Sequence, residues 1–151
     1  ADNYLPSWMA LEIVTFSHLS KIYENLKDTS SKAEIAKFFG LPYQLMENWL
    51  LLITYTRNIC AHHSRFWNRE LSLKSRKITT KLPFNWIDTN GIARNKAYFY
   101  ISVIKYLLDR VNPNNNFKEN LEELLNKYDN IDYIKSMGFP AEWKNEPLWE
   151  S

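Results

Sequence analysis

The sequence predicts an all-α fold. Only three glycines and six prolines interrupt 151 residues, and the segments between them repeat their apolar positions every three to four residues rather than every two. A content of 45% hydrophobic and 15% aromatic residues is that of a chain that buries a core, and the length fits a single domain over residues 1–151.

The elements follow in order. Pro6 and Ser7 open a first helix, expected from about Ser7 to Leu26, with an apolar stripe of Trp8, Leu11, Ile13, Val14, Leu19, Ile22 and Leu26. A shorter helix follows Thr29-Ser30-Ser31, carries Ile35, Phe38 and Phe39, and stops at Gly40. Pro42 opens a third, from Tyr43 to about His62, whose Met46, Trp49, Leu50, Leu51, Leu52, Ile53 and Tyr55 make it apolar nearly all round. It is expected to be central. Arg65 to Asn90, broken by Asn68-Arg69, Lys74-Ser75-Arg76-Lys77, Leu82-Pro83 and the turn signal Asp88-Thr89-Asn90-Gly91, reads as a long, basic, partly irregular connection. A fourth helix is expected from about Ile92 to Val111, with Tyr98, Tyr100 and Tyr106 in the core or at a dimer contact. After a polar Asn112–Asn116 linker, a fifth runs from about Phe117 to Tyr128, and a tail with Ile131, Ile134, Met137, Phe139, Trp143 and Trp149 forms a short helix and a strap on the bundle.

Bulk properties exclude several classes. A net charge of +2 is too small to indicate a pervasive electrostatic nucleic-acid binder. One cysteine, Cys60, rules out an intrachain disulfide and fits a reducing compartment, and no signal-like segment stands out, so a cytoplasmic protein is expected. The apolar run Trp49–Ile53 is far short of the roughly 20 residues that span a bilayer. The start Ala1-Asp2-Asn3 lacks an initiator Met, so the chain is expected to be a fragment of a longer protein.

The charge is local. From Arg57 to Lys81 the cations Arg57, Arg65, Arg69, Lys74, Arg76, Lys77 and Lys81 face one acid, Glu70. Such a run suits a polyanion. From Asp109 onward nine acids outnumber five bases, which makes that half a poor RNA surface.

At the start of the basic run stands Arg57-Asn58-Ile59-Cys60-Ala61-His62-His63. It gathers a guanidinium that forks onto phosphate, a carboxamide, and imidazoles of the one side-chain type that exchanges protons near neutral pH. At about 100° per residue Asn58, His62 and Arg65 share a helical face, while Arg57 is rotated roughly 140° from His62, toward the side of Met46, Leu50 and Ile53. Arg57 and His62 meet on one phosphate if the Arg side chain curls round, or if a second copy completes the site, which predicts a symmetric homodimer.

The pattern Arg-Asn-x-x-x-His resembles the R-x4-6-H motif of the HEPN superfamily of α-helical ribonucleases. The extended run Arg57 to Arg69, with Leu5-Pro6-Ser7-Trp8-Met9-Ala10-Leu11-Glu12 and Leu19-Ser20-Lys21-Ile22-Tyr23-Glu24-Asn25-Leu26, is similar to its abortive-infection (Abi-like, AbiD/AbiF type) members. The six-residue core recurs by chance, so the longer run carries the specificity. The resemblance implies an HEPN-like helical bundle and a metal-independent endoribonuclease of a phage-defence system, with Arg57 and His62 catalytic and Asn58 supporting them. His63 also satisfies the motif spacing. Arg65, Arg69, Lys74, Arg76 and Lys77 are the candidate RNA-binding residues. No cofactor or metal is implied, and a regulatory RNA or protein partner is expected to restrain such a nuclease.

The chemistry stands without the name. A ribose 2′-hydroxyl beside a phosphodiester is a built-in nucleophile, so a base, an acid and a charge stabiliser suffice, giving a 2′,3′-cyclic phosphate and a 5′-hydroxyl. Bland readings compete with it. Arg57 and the histidines also suit the negative end of a helix, and the basic run also suits a solvated loop. A zinc site from Cys60, His62, His63 and His18 lacks a Cys pair, and Ser64 beside His62 lacks a carboxylate to make a hydrolase. Phe66 and Trp67 either stack bases or pack on the core. The alternative function is a non-catalytic RNA- or protein-binding module of a defence or toxin-antitoxin system.

Overall fold

The computed structural model describes residues 6–150, apart from the side chains of residues 7 and 8. The Trp8 side chain and residues 1–5 therefore lie outside the described structure. The order is α1 (Ser7–Ile13), α2 (Phe16–Asn25), α3 (Thr29–Phe38), α4 (Tyr43–Ala61), α5 (Ala97–Val111), α6 (Phe117–Lys127), α7 (Tyr133–Met137), one 3-10 turn (Trp143–Asn145) and α8 (Pro147–Glu150). No strand occurs among the described residues. The expected all-helical class is what the chain adopts.

Two helices differ from expectation. The first is split, because Val14 is extended (ψ 144°) and Thr15 caps α2 by accepting from the His18 N–H. Ile13-Val14-Thr15 is a β-branched run, poor in a helix, and ends in a good N-cap residue. A continuous stripe is thereby lost, and Leu11, Ile13 and Ile22 are exposed. The fourth expected helix starts five residues late, at Ala97, because Arg94 and Asn95 are used to pin the basic connection: Leu71 N–H donates to the Asn95 carbonyl and Arg94 Nη1 to the Ser75 carbonyl, at 2.8 and 2.7 Å.

α4 is central, packed against α2, α3 and α5. Its Trp49 is fully buried, 4.9 Å from the ring of Trp86 and edge-on to Tyr106 at 5.3 Å. Lys32 of α3 reaches across to Glu47 of α4 at 2.6 Å and donates also to the Glu24 carbonyl at the end of α2, so one ammonium joins three helices. α5 serves three neighbours. Tyr98 meets the tail through Phe139 (4.7 Å), Phe99 meets Trp86 (5.8 Å), and Tyr100 meets Phe66 (6.1 Å) while donating to the Leu73 carbonyl. Burial pushes the phenols of Tyr98 and Tyr106 up to about 12, as expected for groups held in an apolar core. The tail is a strap, with Phe139, Trp143, Leu148 and Trp149 buried.

No helix among the described residues is long and apolar enough to cross a membrane.

Candidate nucleic-acid interface and active site

α4 ends in a six-residue capping motif that places both imidazoles. Ser64 N–H donates to the Ile59 carbonyl at 2.9 Å and His63 N–H to the Cys60 carbonyl at 3.0 Å, the paired bonds of a Schellman ending. His62 is the C-cap (φ −92°, ψ 16°) and His63 takes the left-handed position that follows, at φ 52°. That position normally belongs to glycine, because an L side chain there costs roughly 1–2 kcal/mol. α3 ends in the same motif, with Leu41 N–H on the Ala36 carbonyl, Gly40 N–H on the Lys37 carbonyl, and Gly40 at φ 65°. One helix uses glycine and the other histidine.

Arg57, His62 and His63 are exposed and Asn58 is half-buried. Arg57 Nη1 donates to Asn58 Oδ1 at 3.3 Å. Consecutive residues on a helix do not face one another, so this bond draws the guanidinium round from the Met46–Leu50–Ile53 stripe toward the Asn58 side. Arg65 does not share the helical face of Asn58 and His62. The helix has already ended at Ala61, and Arg65 lies in the loop, lining an apolar groove with His63 and Trp67.

From there the basic connection runs back along α4. The Tyr55 hydroxyl bonds Ser72 Oγ at 3.2 Å and accepts from Ser72 N–H at 3.4 Å. Those bonds, with the nearby charge of Arg69, hold the Tyr55 phenol below its usual range. Farther along, Asn48 Oδ1 accepts from Arg76 N–H at 2.8 Å and from Ser75 Oγ at 3.3 Å. Asn48, Tyr55 and His62 stand seven residues apart, on nearly one face of the helix. The loop thus follows that face antiparallel to α4.

Arg65, Arg69, Lys74, Arg76 and Lys77 are all exposed along this strip. Arg69 returns close to Tyr55, two turns from His62. Ser75 and Arg76, between Lys74 and Lys77 in the chain, are held on Asn48, about 21 Å down the axis from His62 at 1.5 Å per residue. At about 3.4 Å per stacked nucleotide that span matches roughly six residues of a polyanion strand. Sequence reasoning missed Asn48, Tyr55 and Arg94, the groups that lay this loop down. The seven-residue spacing of Asn48 and Tyr55 with His62, in an otherwise apolar helix, was the available signal.

Phe66 and Trp67, adjacent in sequence, part company. Phe66 is edge-on to Tyr100 and belongs to the core margin, whereas Trp67 is 37% exposed on the groove. Among the described residues no three His, Cys, Asp or Glu side chains gather closely enough to hold a metal ion.

No curated protein and no solved structure matches the chain. Residues 1–68 match the family model described as Abi-like protein, a stretch that takes in α1 to α4 and the whole Arg57–His63 segment. Over those residues, just under half of its length, the chain is similar to the Abi-like family.

Proposed function

We propose that this protein is a metal-independent endoribonuclease of the HEPN type, acting in abortive infection as a phage defence. The Abi-like match supports the defence role. The observation that carries the catalytic reading is the open end of α4, where a guanidinium bonded to a carboxamide and two exposed imidazoles head a strip of five cations. RNA lies along the strip with its phosphates on Arg65, Arg69, Lys74, Arg76 and Lys77.

In the reaction an imidazole, that of His62 by motif spacing, takes the proton of a 2′-hydroxyl. The 2′-oxygen then bonds to phosphorus, the bond to the 5′-oxygen breaks, and a protonated imidazole supplies the leaving oxygen's proton. Arg57, steered by Asn58, neutralises the charge that builds on the phosphorane oxygens. His63, one residue on, is the second candidate for either proton transfer.

A homodimer completes the site. The Met46–Leu50–Ile53 stripe that leads to Arg57 lines an open apolar groove of about 540 Å³ with Leu11, Ile22 and Val111. These side chains are unusually exposed for apolar residues, at 48%, 45% and 62%, and exposed apolar patches of this kind mark association surfaces. A second copy seated there covers this apolar surface, with Arg57 outside its lining and turned toward Asn58 at the helix end.

Arg57→Ala, His62→Ala and His63→Ala test the proposal on single-stranded RNA with chelator present. Loss of cleavage with RNA affinity kept supports the enzyme. RNA binding by the wild-type chain with no cleavage under any metal condition favours a binding module instead.

A further inference from the structure

We infer that the apolar groove beside His63 is a nucleobase subsite, in which an unpaired base next to the scissile linkage stacks on Trp67. The inference rests on the ribonuclease reading and deepens it by naming what the site reads besides phosphate. The groove, about 710 Å³, begins at His63 and Arg65 and is closed on its far side by Leu124 and Tyr128 of the α6 region. Its volume suits a small organic ligand or a base or two.

Three observations select a base as the occupant. Trp67 is left with an open face, while its neighbour Phe66 is committed to Tyr100. Base-to-aromatic stacking is the common means by which proteins hold single strands without reading sequence. Across the groove, Leu124 and Tyr128 are 54% and 47% exposed, so both walls offer apolar surface to a flat guest. The two ends of the groove differ in charge. Arg65 and His63 stand together on the Trp67 side, whereas on the other wall Glu122 is paired with Lys144 at 3.4 Å and Lys127 lies over the Tyr128 ring beside Glu123 and Asp129, so that its charges offset one another. A nucleotide fits this arrangement with its phosphate toward Arg65 and His63 and its base toward the apolar interior. An apolar helix of a protein partner would leave Arg65 and His63 unused.

The experiment measures binding and cleavage of eight-nucleotide oligo-U and oligo-A RNAs, and of the same RNAs with one abasic position, by the wild type, Trp67→Ala, Trp67→Phe and Tyr128→Ala. The Trp67→Ala change is expected to weaken RNA binding about tenfold, within the range for loss of one stacked base, and to erase the difference between intact and abasic RNA. Trp67→Phe restores most of the affinity. Tyr128→Ala, on the opposite and half-exposed wall, weakens intact RNA but not abasic RNA. Wild-type affinity and wild-type abasic discrimination in both alanine variants would overturn the subsite and leave the ribonuclease reading standing. Failure of the wild type to bind or cut any RNA would overturn both. A change in oligomeric size on Trp67→Ala with RNA binding untouched would assign the groove to a second copy and overturn the base.

Discussion

His63 holds at the end of α4 the backbone place that Gly40 holds at the end of α3: both sit at positive φ, 52° and 65°, inside the same pair of capping bonds. Gly40 has a local reason to be there. A Cβ on it would lie 2.4 Å from Pro83 Cγ and 2.7 Å from the Phe84 ring. His63 carries a strained backbone with an imidazole in the open, and strain of this kind collects where a side chain is kept for its chemistry.

The first prediction separates strain from chemistry at that place. His63→Gly relieves the left-handed conformation and His63→Ala does not, so the glycine variant unfolds with about 1 kcal/mol more stability than the alanine variant. Urea melts of the two proteins check it. Equal stability would mean that the turn has relaxed out of the left-handed region.

At Gly40 a steric clash adds to the left-handed backbone and the effect of an alanine is larger. Gly40→Ala meets both a positive φ and the Pro83–Phe84 contact, on which the guanidinium of Arg110 lies 3.8 Å above the Phe84 ring. A loss of about 2–4 kcal/mol is expected, read as a lower urea midpoint. A near-neutral result would show that the loop around Pro83 yields freely.

Asp28 gives the fold a pH dependence of known sign. Its carboxylate accepts from the hydroxyls and backbone N–H groups of Ser31 and Ser30, which hold it down to about 2 from an ordinary 3.8. A depressed carboxyl contributes stability above its unfolded value, and that contribution is lost as pH falls toward the folded value. Wild type is expected to melt a few degrees above Asp28→Ala at neutral pH, with the gap closing between about pH 4 and pH 2. A gap that stayed constant across that window would remove Asp28 as the cause.

Asn48 tests the strip. Asn48→Ala removes the acceptor of the Arg76 N–H and one of the two acceptors of the buried Ser75 hydroxyl, which keeps the Arg76 carbonyl, at a cost of about 1 kcal/mol. RNA affinity is expected to fall several-fold as the loop lifts from α4, while the cleavage rate at saturating RNA stays near wild type. Unchanged affinity would show that Lys74, Arg76 and Lys77 do not meet the strand.

Much of this architecture is legible in the residues. The largely apolar body of α4, Gly40 as a helix stop, the irregular basic connection and the strap all rest on strong local signals. The break at Val14-Thr15 was hidden because the apolar stripe continues across it, and a stripe reports burial, not backbone continuity. The late start of α5 was hidden for a different reason: Arg94 and Asn95 are spent on Ser75 and Leu71, partners 19 and 24 residues away in sequence. At the site, the motif named Arg57, Asn58 and the histidines, but the helix end that moves Arg65 into the groove depends on His63 taking a left-handed conformation that residues other than glycine seldom take.

The most direct test uses one RNA with a single 2′-deoxy substitution at the mapped cleavage position, incubated with the protein and a chelator, with the new ends identified chemically. The account predicts a 2′,3′-cyclic phosphate and a 5′-hydroxyl from the all-ribose strand, no cut at the deoxy position, and no product from Arg57→Ala or His62→Ala. Cleavage at the deoxy position, or a 5′-phosphate on the product, would contradict it.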